Sequence, residues 1–177
     1  MFREGMMEIS WHITETDFFS GLSEEKKEFL SLAICRTIDK NEFVFMAGDI
    51  GDSAFYLAEG RVRIFRHTLM GKESIVFIRQ AGEMFGLAEV MGRQKRIYTA
   101  QAITHCRVYE IQADDFEEIL ARHYPLAKRV IEVLGRRLRY LGEQLESLMI
   151  SDVTTRLLRL LACLSCQNLT DIKVLNQ

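Results

Sequence analysis

Hydrophobic and polar positions alternate through the middle of the chain. Arg61-Val62-Arg63-Ile64 has the two-residue period of a strand with one buried face. Residues 61–79 predict a long hairpin with a turn at Gly71, and further strands are predicted at 42–45, 54–57, 98–103 and 107–111. Short strands separated by glycine turns predict a sandwich or barrel.

The two ends of the chain have helical patterns. Ser23 is expected to cap a helix at Glu24, and Asp114 is expected to cap the next one in the same way. Pro125, the only proline, stands where a long helix is predicted to begin, because its missing N–H costs little there. A further helix is predicted over 153–166. The fold class is therefore mainly β with flanking helices.

The long helix carries one apolar seam. Its members are separated alternately by four and three residues, a mean of 3.5, which is the spacing of a coiled coil. The seam consists of Ala127, Ile131, Leu134, Leu138, Leu141, Leu145 and Leu148. One interpretation is that it packs on the chain's own β domain. We favour pairing with a second copy, because a helix on a globular core drifts toward a 3.6 period and a wider stripe.

Composition narrows the class of protein. The formal net charge is −2 and the hydrophobic fraction is 48%, so a sizeable core can form and no global charge points to nucleic acid. No apolar run is long enough for a membrane span, and residues 1–10 lack the apolar segment of a secretion signal. We therefore expect a cytoplasmic protein. Cys163 and Cys166 form a C-x-x-C pair in an apolar stretch, which favours reduced, packed cysteines over half a metal site.

Several segments resemble one known family when they are taken together. Residues 18–25 resemble the entry of cyclic-nucleotide-binding domains, 47–62 their glycine-marked β-roll, and Gly82-Glu83-Met84-Phe85-Gly86 the lead-in to their phosphate cassette. The long helix and the following residues 152–156 resemble the dimerisation helix of Crp/Fnr transcription regulators. The resemblance covers about residues 15–167.

The resemblance implies a double-stranded β-helix, or jelly roll, followed by a long dimerisation helix. The implied domains are a sensor over 1–120, a dimerisation helix over 121–150 and the start of a truncated DNA-binding domain over 151–177. The implied partners are a second copy of the chain, a small-molecule or gas effector and, in a full-length form, promoter DNA. No membrane partner is implied, and these residues alone are not expected to bind DNA specifically.

The cassette departs from the family members that bind cyclic AMP. Those proteins have Glu directly after the cassette glycine, where this chain has Leu87, and Ser or Thr after the cassette arginine, where it has Ile97. Arg96 could still pair with a phosphate oxygen, and Thr99 is the available substitute hydroxyl. We therefore expect an effector other than cyclic AMP. The residues expected to line its pocket are Phe85, Gly86, Leu87, Ala88, Glu89, Arg96 and Thr99, closed by Leu138 and Leu141 of the long helix.

Two alternatives stay open within this class. One is a stand-alone ligand-binding module that does not bind DNA. The other is a haem-based gas or redox sensor, since haem iron accepts His, Cys or Met, and the candidate ligands near the roll are His67, Met70, Met84, Met91 and His105. An enzyme is not expected: the histidines are dispersed, with no His-x-His pair for a metal-dependent jelly roll, and no metal site is predicted.

Overall fold

The computed structural model describes residues 17–67, 71 and 73–150, with side chains up to residue 146. Several predictions fall outside the described residues. They concern the helix over 153–166, the C-x-x-C pair, Met70, the Leu148 side chain and the expected DNA-binding segment. The described residues up to Leu134 belong to one compact unit, and a second unit begins at Gly135. The domain boundaries expected at residues 120 and 150 stay predictions.

Eight strands and four helices make up the described chain. In order they are α1 (Ser23–Leu32), β1 (Ile34–Ile38), β2 (Phe43–Phe45), β3 (Ser53–Glu59), β4 (Arg61–His67), β5 (Glu73–Gln80), β6 (Met84–Phe85), α2 (Leu87–Val90), β7 (Thr99–Ala102), β8 (Cys106–Gln112), α3 (Ala113–Arg122) and α4 (Tyr124–Ile150). The predicted strands are confirmed, as is the position of Pro125 at the second residue of the long helix.

The strands form two antiparallel four-stranded sheets, ordered β1-β8-β3-β6 and β2-β7-β4-β5. The predicted jelly roll with flanking helices is thereby confirmed. The hairpin of β4 and β5 pairs Val62 with Arg79, and Gly60, which ends β3, has a φ of +91°. A left-handed backbone of this kind favours glycine because it lacks a Cβ.

The expected caps of the first and third helices are wrong. Leu22 occupies the cap position of α1 and Ser23 is its first helical residue, because the buried Leu22 anchors the turn that precedes the helix. Gln112 occupies the cap position of α3, since the N–H of Ala113 donates to the Asp52 carbonyl and the helix begins two residues earlier than expected. Neither cap residue makes a side-chain cap hydrogen bond.

Two hydrophobic clusters fill the compact unit. The roll cluster lies between the two sheets and includes Phe55, Leu57, Val62, Phe85 and Ala100. The helix-side cluster joins the other face of the β3 sheet to the helices and contains, among others, Phe18, Phe29, Tyr56, Leu87, Phe116, Leu126, Val130 and Val133. Successive residues of β3 enter opposite clusters, as the pleat of a strand requires.

A polar group at the surface of the helix-side cluster fixes the segment before α1. The Asp17 carboxylate accepts a hydrogen bond from the Phe19 N–H at 2.9 Å and from Lys26 Nζ at 3.1 Å, and Lys26 Nζ also reaches the Tyr56 hydroxyl at 2.9 Å. Burial by itself raises the pKa of Asp17, but these donors outweigh it and hold that pKa below its ordinary value.

Candidate functional site

The candidate site begins at the turn between β6 and α2. Gly86 has a φ of +72° and stands at the cap of the one-turn helix α2. A Cβ added there would lie 3.0 Å from Arg96 Nη1 and 3.0 Å from Cδ2 of Phe55. Glycine is therefore required both for the backbone angle and for the close approach of the turn to Arg96.

Arg96 lies inside this turn, although arginine is rarely buried without a partner. It is 3% exposed. Its Nη1 donates to the Gly86 carbonyl at 2.9 Å, and its Nη2 donates to the Ser53 carbonyl. The guanidinium carbon lies 4.4 Å from the Phe45 ring centroid and 5.7 Å from that of Phe55, within the range of cation–π attraction. The charge is thus held by two carbonyls and two aromatic rings.

Glu89 supplies the counter-charge. Its Oε2 accepts a hydrogen bond from Arg96 Nη1 at 3.2 Å, and the residue is 8% exposed. Gly51 lies in close contact with Glu89, since a Cβ added to Gly51 would lie 2.6 Å from the Glu89 Cβ. The pair is therefore enclosed, and removing one partner of such a pair leaves a costly unpaired charge.

Two loops close over the pair and are joined by backbone hydrogen bonds. The Arg96 N–H donates to the Asp49 carbonyl at 2.8 Å, and the Gly51 N–H donates to the Gln94 carbonyl at 2.9 Å. Thr99 contributes to the same closure, because its Oγ1 accepts a hydrogen bond from the Ala47 N–H at 3.0 Å. The hydroxyl expected to face an effector thus holds a loop in place.

The interior of the roll beside the pair is aromatic. Phe85 stacks on Phe55 with ring centroids 5.2 Å apart, and Phe45 lies 5.5 Å from Phe55. Three rings of about this separation gain contact energy beyond their burial. The wall of the site is therefore a packed cluster.

The structure gathers only part of the residues expected to line a pocket. Gly86, Glu89 and Arg96 are in contact, with Phe85 in the ring cluster beside them. Leu87 belongs instead to the helix-side cluster and Ala88 is exposed. Leu138 and Leu141 lie beyond Gly135, in the second unit, and are exposed. Their part in closing a pocket stays a prediction.

Sequence reasoning missed three partners of Arg96, namely Ser53, Phe45 and Phe55. Residues 42–45 and 54–57 are predicted as strands, but sequence alternation does not tell which ends of distant strands meet. The register in which Phe55 of β3 lies opposite Phe85 of β6 brings that ring to the arginine. The sequence around the cassette contains one phenylalanine, Phe85, so no local signal pointed to Phe45 and Phe55.

The haem-ligand candidates do not converge in the described residues. His67 lies 3.7 Å from a carboxylate oxygen of Glu73, and His105 Nδ1 lies 2.9 Å from an Asp39 oxygen. Met84 is buried in the helix-side cluster, and Met91 is exposed. Across the described part of the chain, no three His, Cys, Asp or Glu side chains are grouped as metal ligands.

Helix α4 has two apolar stripes. Leu126, Val130 and Val133 are buried in the helix-side cluster. The second stripe is the seam identified from the sequence: Ala127 is partly exposed, and five large members are exposed. These are Ile131, Leu134, Leu138, Leu141 and Leu145. The helix therefore packs one stripe into the helix-side cluster of its own chain. The other stripe is exposed in the single chain.

A two-sheet antiparallel roll with a glycine-opened turn around a buried arginine defines a jelly-roll ligand-binding domain of the cyclic-nucleotide type. A family model described as cyclic nucleotide-binding domain matches residues 35–123, which is half of the chain. The chain belongs to the cyclic nucleotide-binding domain family, and its homologues include regulators of the Crp/Fnr family. The recognition made from the sequence is confirmed.

Individual relatives agree with this assignment. The cyclic AMP receptor protein of Thermus thermophilus is 28% identical over 139 residues, which are 78% of this chain and 64% of that protein. The crystal structure of the Thermus thermophilus catabolite activator protein matches with a TM-score of 0.69 and 28% identity, over 76% of this chain and 63% of that one. The sensor domain of the transcriptional regulator DNR from Pseudomonas aeruginosa matches with a TM-score of 0.60 and 25% identity, over 78% of this chain and 90% of that one.

The match to these relatives is partial in length. The chain spans between half and about two thirds of the first curated relatives it matches. Among the helices that the structure describes, none is long and apolar enough to cross a membrane.

Proposed function

We propose that the chain is the effector-sensing and dimerising part of a Crp/Fnr-type transcription regulator. The observation that carries the proposal is the uncovered seam of α4, in a domain whose family and relatives point to regulators. The seam keeps the 3.5-residue period through its exposed members, and a second copy offers the same apolar surface in return. Promoter DNA is the proposed target of the full-length form.

Dimerisation is tested by the mass of the purified chain in light scattering. We expect twice the mass of one chain, and we expect Leu138→Asp to give a monomer, because an aspartate in the seam would be buried without a partner. Arg139→Asp is the matched control: its position is also exposed but lies off the seam, so the dimer is expected to persist. A monomeric parent chain, or equal effects of the two substitutions, would contradict the proposal.

We propose further that the effector is not cyclic AMP. Arg96 already donates to Glu89, Gly86 and Ser53, and Leu87 and Ile97 provide no polar group where cyclic-AMP binders of the family do. Each buried polar group left unmatched costs about 1–3 kcal/mol, and about 1.4 kcal/mol is tenfold in affinity. Two such losses, about 2–6 kcal/mol together, weaken binding by roughly 30-fold to 20,000-fold.

Calorimetric titration of the chain with cyclic AMP tests this second part. We expect no saturable heat at micromolar concentrations of nucleotide. Saturable micromolar binding at one nucleotide per chain would contradict it. The titration is independent of the mass measurement, so dimerisation and effector choice can succeed or fail separately.

A further inference from the structure

The buried pair of Glu89 and Arg96 occupies the centre of the site, and its charges are already balanced. Both side chains are almost fully enclosed, at 11% exposure for the Glu89 side chain and 1% for that of Arg96. We infer that Glu89 is a built-in occupant of the anion site of the roll. It determines specificity, because an anionic ligand can bind Arg96 only by displacing the Glu89 carboxylate. The inference rests on the proposed function of the roll as the sensing site.

The guanidinium is anchored independently of Glu89. The Ser53 and Gly86 carbonyls accept its hydrogen bonds, and the Phe45 ring lies 4.4 Å from its central carbon. These contacts come from three different elements, so shortening the Glu89 side chain leaves the arginine in place. The result is a fixed cation in an enclosed cradle, which is the arrangement that binds phosphate or carboxylate groups.

One donor of the arginine is left unused. Its Nε is buried and has no hydrogen-bond partner among the described residues. Buried donors are normally paired, and an unpaired one in a native site is the exception. The Nε–H lies on the same edge of the guanidinium as Nη2, which donates to the Ser53 carbonyl. An anion that replaced the Glu89 carboxylate would therefore take the Nη1 bond, and the unused Nε adds no donor for it.

Glu89 projects from a short element between two glycines. It lies in the four-residue helix α2, between the left-handed Gly86 and the loop that Gly51 presses against it. Competition between Glu89 and a ligand anion for Arg96 gives the site two states of the kind that a ligand can bias.

A second buried pair offers a matched control. Arg79 Nη1 lies 3.1 Å from Glu83 Oε2, with side-chain exposures of 5% and 3%, and its guanidinium lies 4.6 Å from the Phe77 ring centroid. Glu83→Gln removes a buried carboxylate from an arginine in the same unit. It does not change the groups around Arg96, so it reports the general effect of breaking a buried pair.

The test compares the full chain with Glu89→Gln, Glu89→Ala and Glu83→Gln, using inorganic phosphate as the probe. Phosphate is titrated by calorimetry and in thermal unfolding at constant ionic strength, with sodium chloride as the reference. We expect phosphate to bind the Glu89 variants at least tenfold more tightly than the parent chain and to raise their melting temperature. Glu83→Gln is expected to behave as the parent does.

Several outcomes would overturn the inference. They are equal phosphate affinity in the parent and Glu89→Gln, an equal gain in Glu83→Gln, and a gain that survives in the double variant Glu89→Gln with Arg96→Met. If Glu89→Ala does not fold, Glu89→Gln decides, because its amide keeps an acceptor for Nη1 and removes only the charge. Loss of the phosphate gain with an intact dimer defeats this inference alone, whereas a monomeric parent or cyclic AMP binding defeats the proposed function.

Discussion

Substituting leucine by alanine is expected to affect the free energy of unfolding differently in the two stripes of α4. Leu126 is 0% exposed and belongs to the helix-side cluster, whereas Leu138, twelve residues further along the same helix, is 72% exposed. Leu126→Ala and Leu138→Ala remove the same atoms, the first from the first turn of the helix and the second from its middle. Leucine and alanine both have high helix propensity, so the difference between the two variants measures mainly burial.

The magnitude follows from burial. Leucine to alanine removes three carbon atoms, at about 0.8 kcal/mol for each buried methylene, or roughly 2.4 kcal/mol, before the cavity is counted. Leu126→Ala is therefore expected to lower the free energy of unfolding by about 2–5 kcal/mol. In the single chain, Leu138→Ala is expected to change it by no more than about 0.5 kcal/mol.

Urea unfolding followed by circular dichroism, at a low and a high chain concentration, separates the effects. Leu126→Ala is expected to be destabilising at both. The cost of Leu138→Ala is expected to appear only at the high concentration, because a dimer interface stabilises the fold by mass action. A loss above about 1 kcal/mol for Leu138→Ala in dilute solution would refute the two-stripe reasoning, as would a negligible loss for Leu126→Ala.

Two further predictions concern backbone and charge. An added Cβ at Gly60 would overlap the His105 carbonyl oxygen, whereas at Gly48, whose φ is also positive at +97°, it meets nothing within 4 Å. Gly60→Ala is therefore expected to lower the free energy of unfolding in urea by about 1–3 kcal/mol more than Gly48→Ala does. Equal losses in the two variants would contradict the clash. The lowered pKa of Asp17 gives stability that is full above the unfolded pKa of about 3.9 and is lost as pH falls through the lower folded pKa. Asp17→Asn is thus expected to flatten the fall of melting temperature in acid, and an unchanged slope would disprove that role.

The roll was predictable because its signal is local. The alternation of Arg61 to Ile64 and the glycine turns predict strands that the structure contains. Helix starts were less predictable, because tertiary contacts chose them: Asp114, expected as a cap, instead forms an ion pair with Arg93 in the first turn of α3. Capping by a side chain competes with tertiary contacts of this kind, and the sequence does not show which of the two is more stable.

The site was predictable in its residue types but not in its connections. The cassette pattern identified Arg96 and Glu89 separately, seven residues apart. Their pairing depends on the left-handed turn at Gly86 and on the loop at Gly51, both of which are set by strands distant in sequence. In α4 the sequence pattern identified the seam but not the second apolar stripe, which contains Val130 and packs on the chain's own core.

Cross-linking through the seam tests the central proposal most directly. In a chain whose native cysteines are replaced by serine, Leu138→Cys places a thiol near the middle of the seam and Arg139→Cys places one beside it. Because equivalent residues meet near the axis of a symmetric pair, mild oxidation is expected to link Leu138→Cys chains into covalent dimers and to leave Arg139→Cys largely unlinked. Absence of the link at position 138, or equal linking at both positions, would contradict dimerisation through α4.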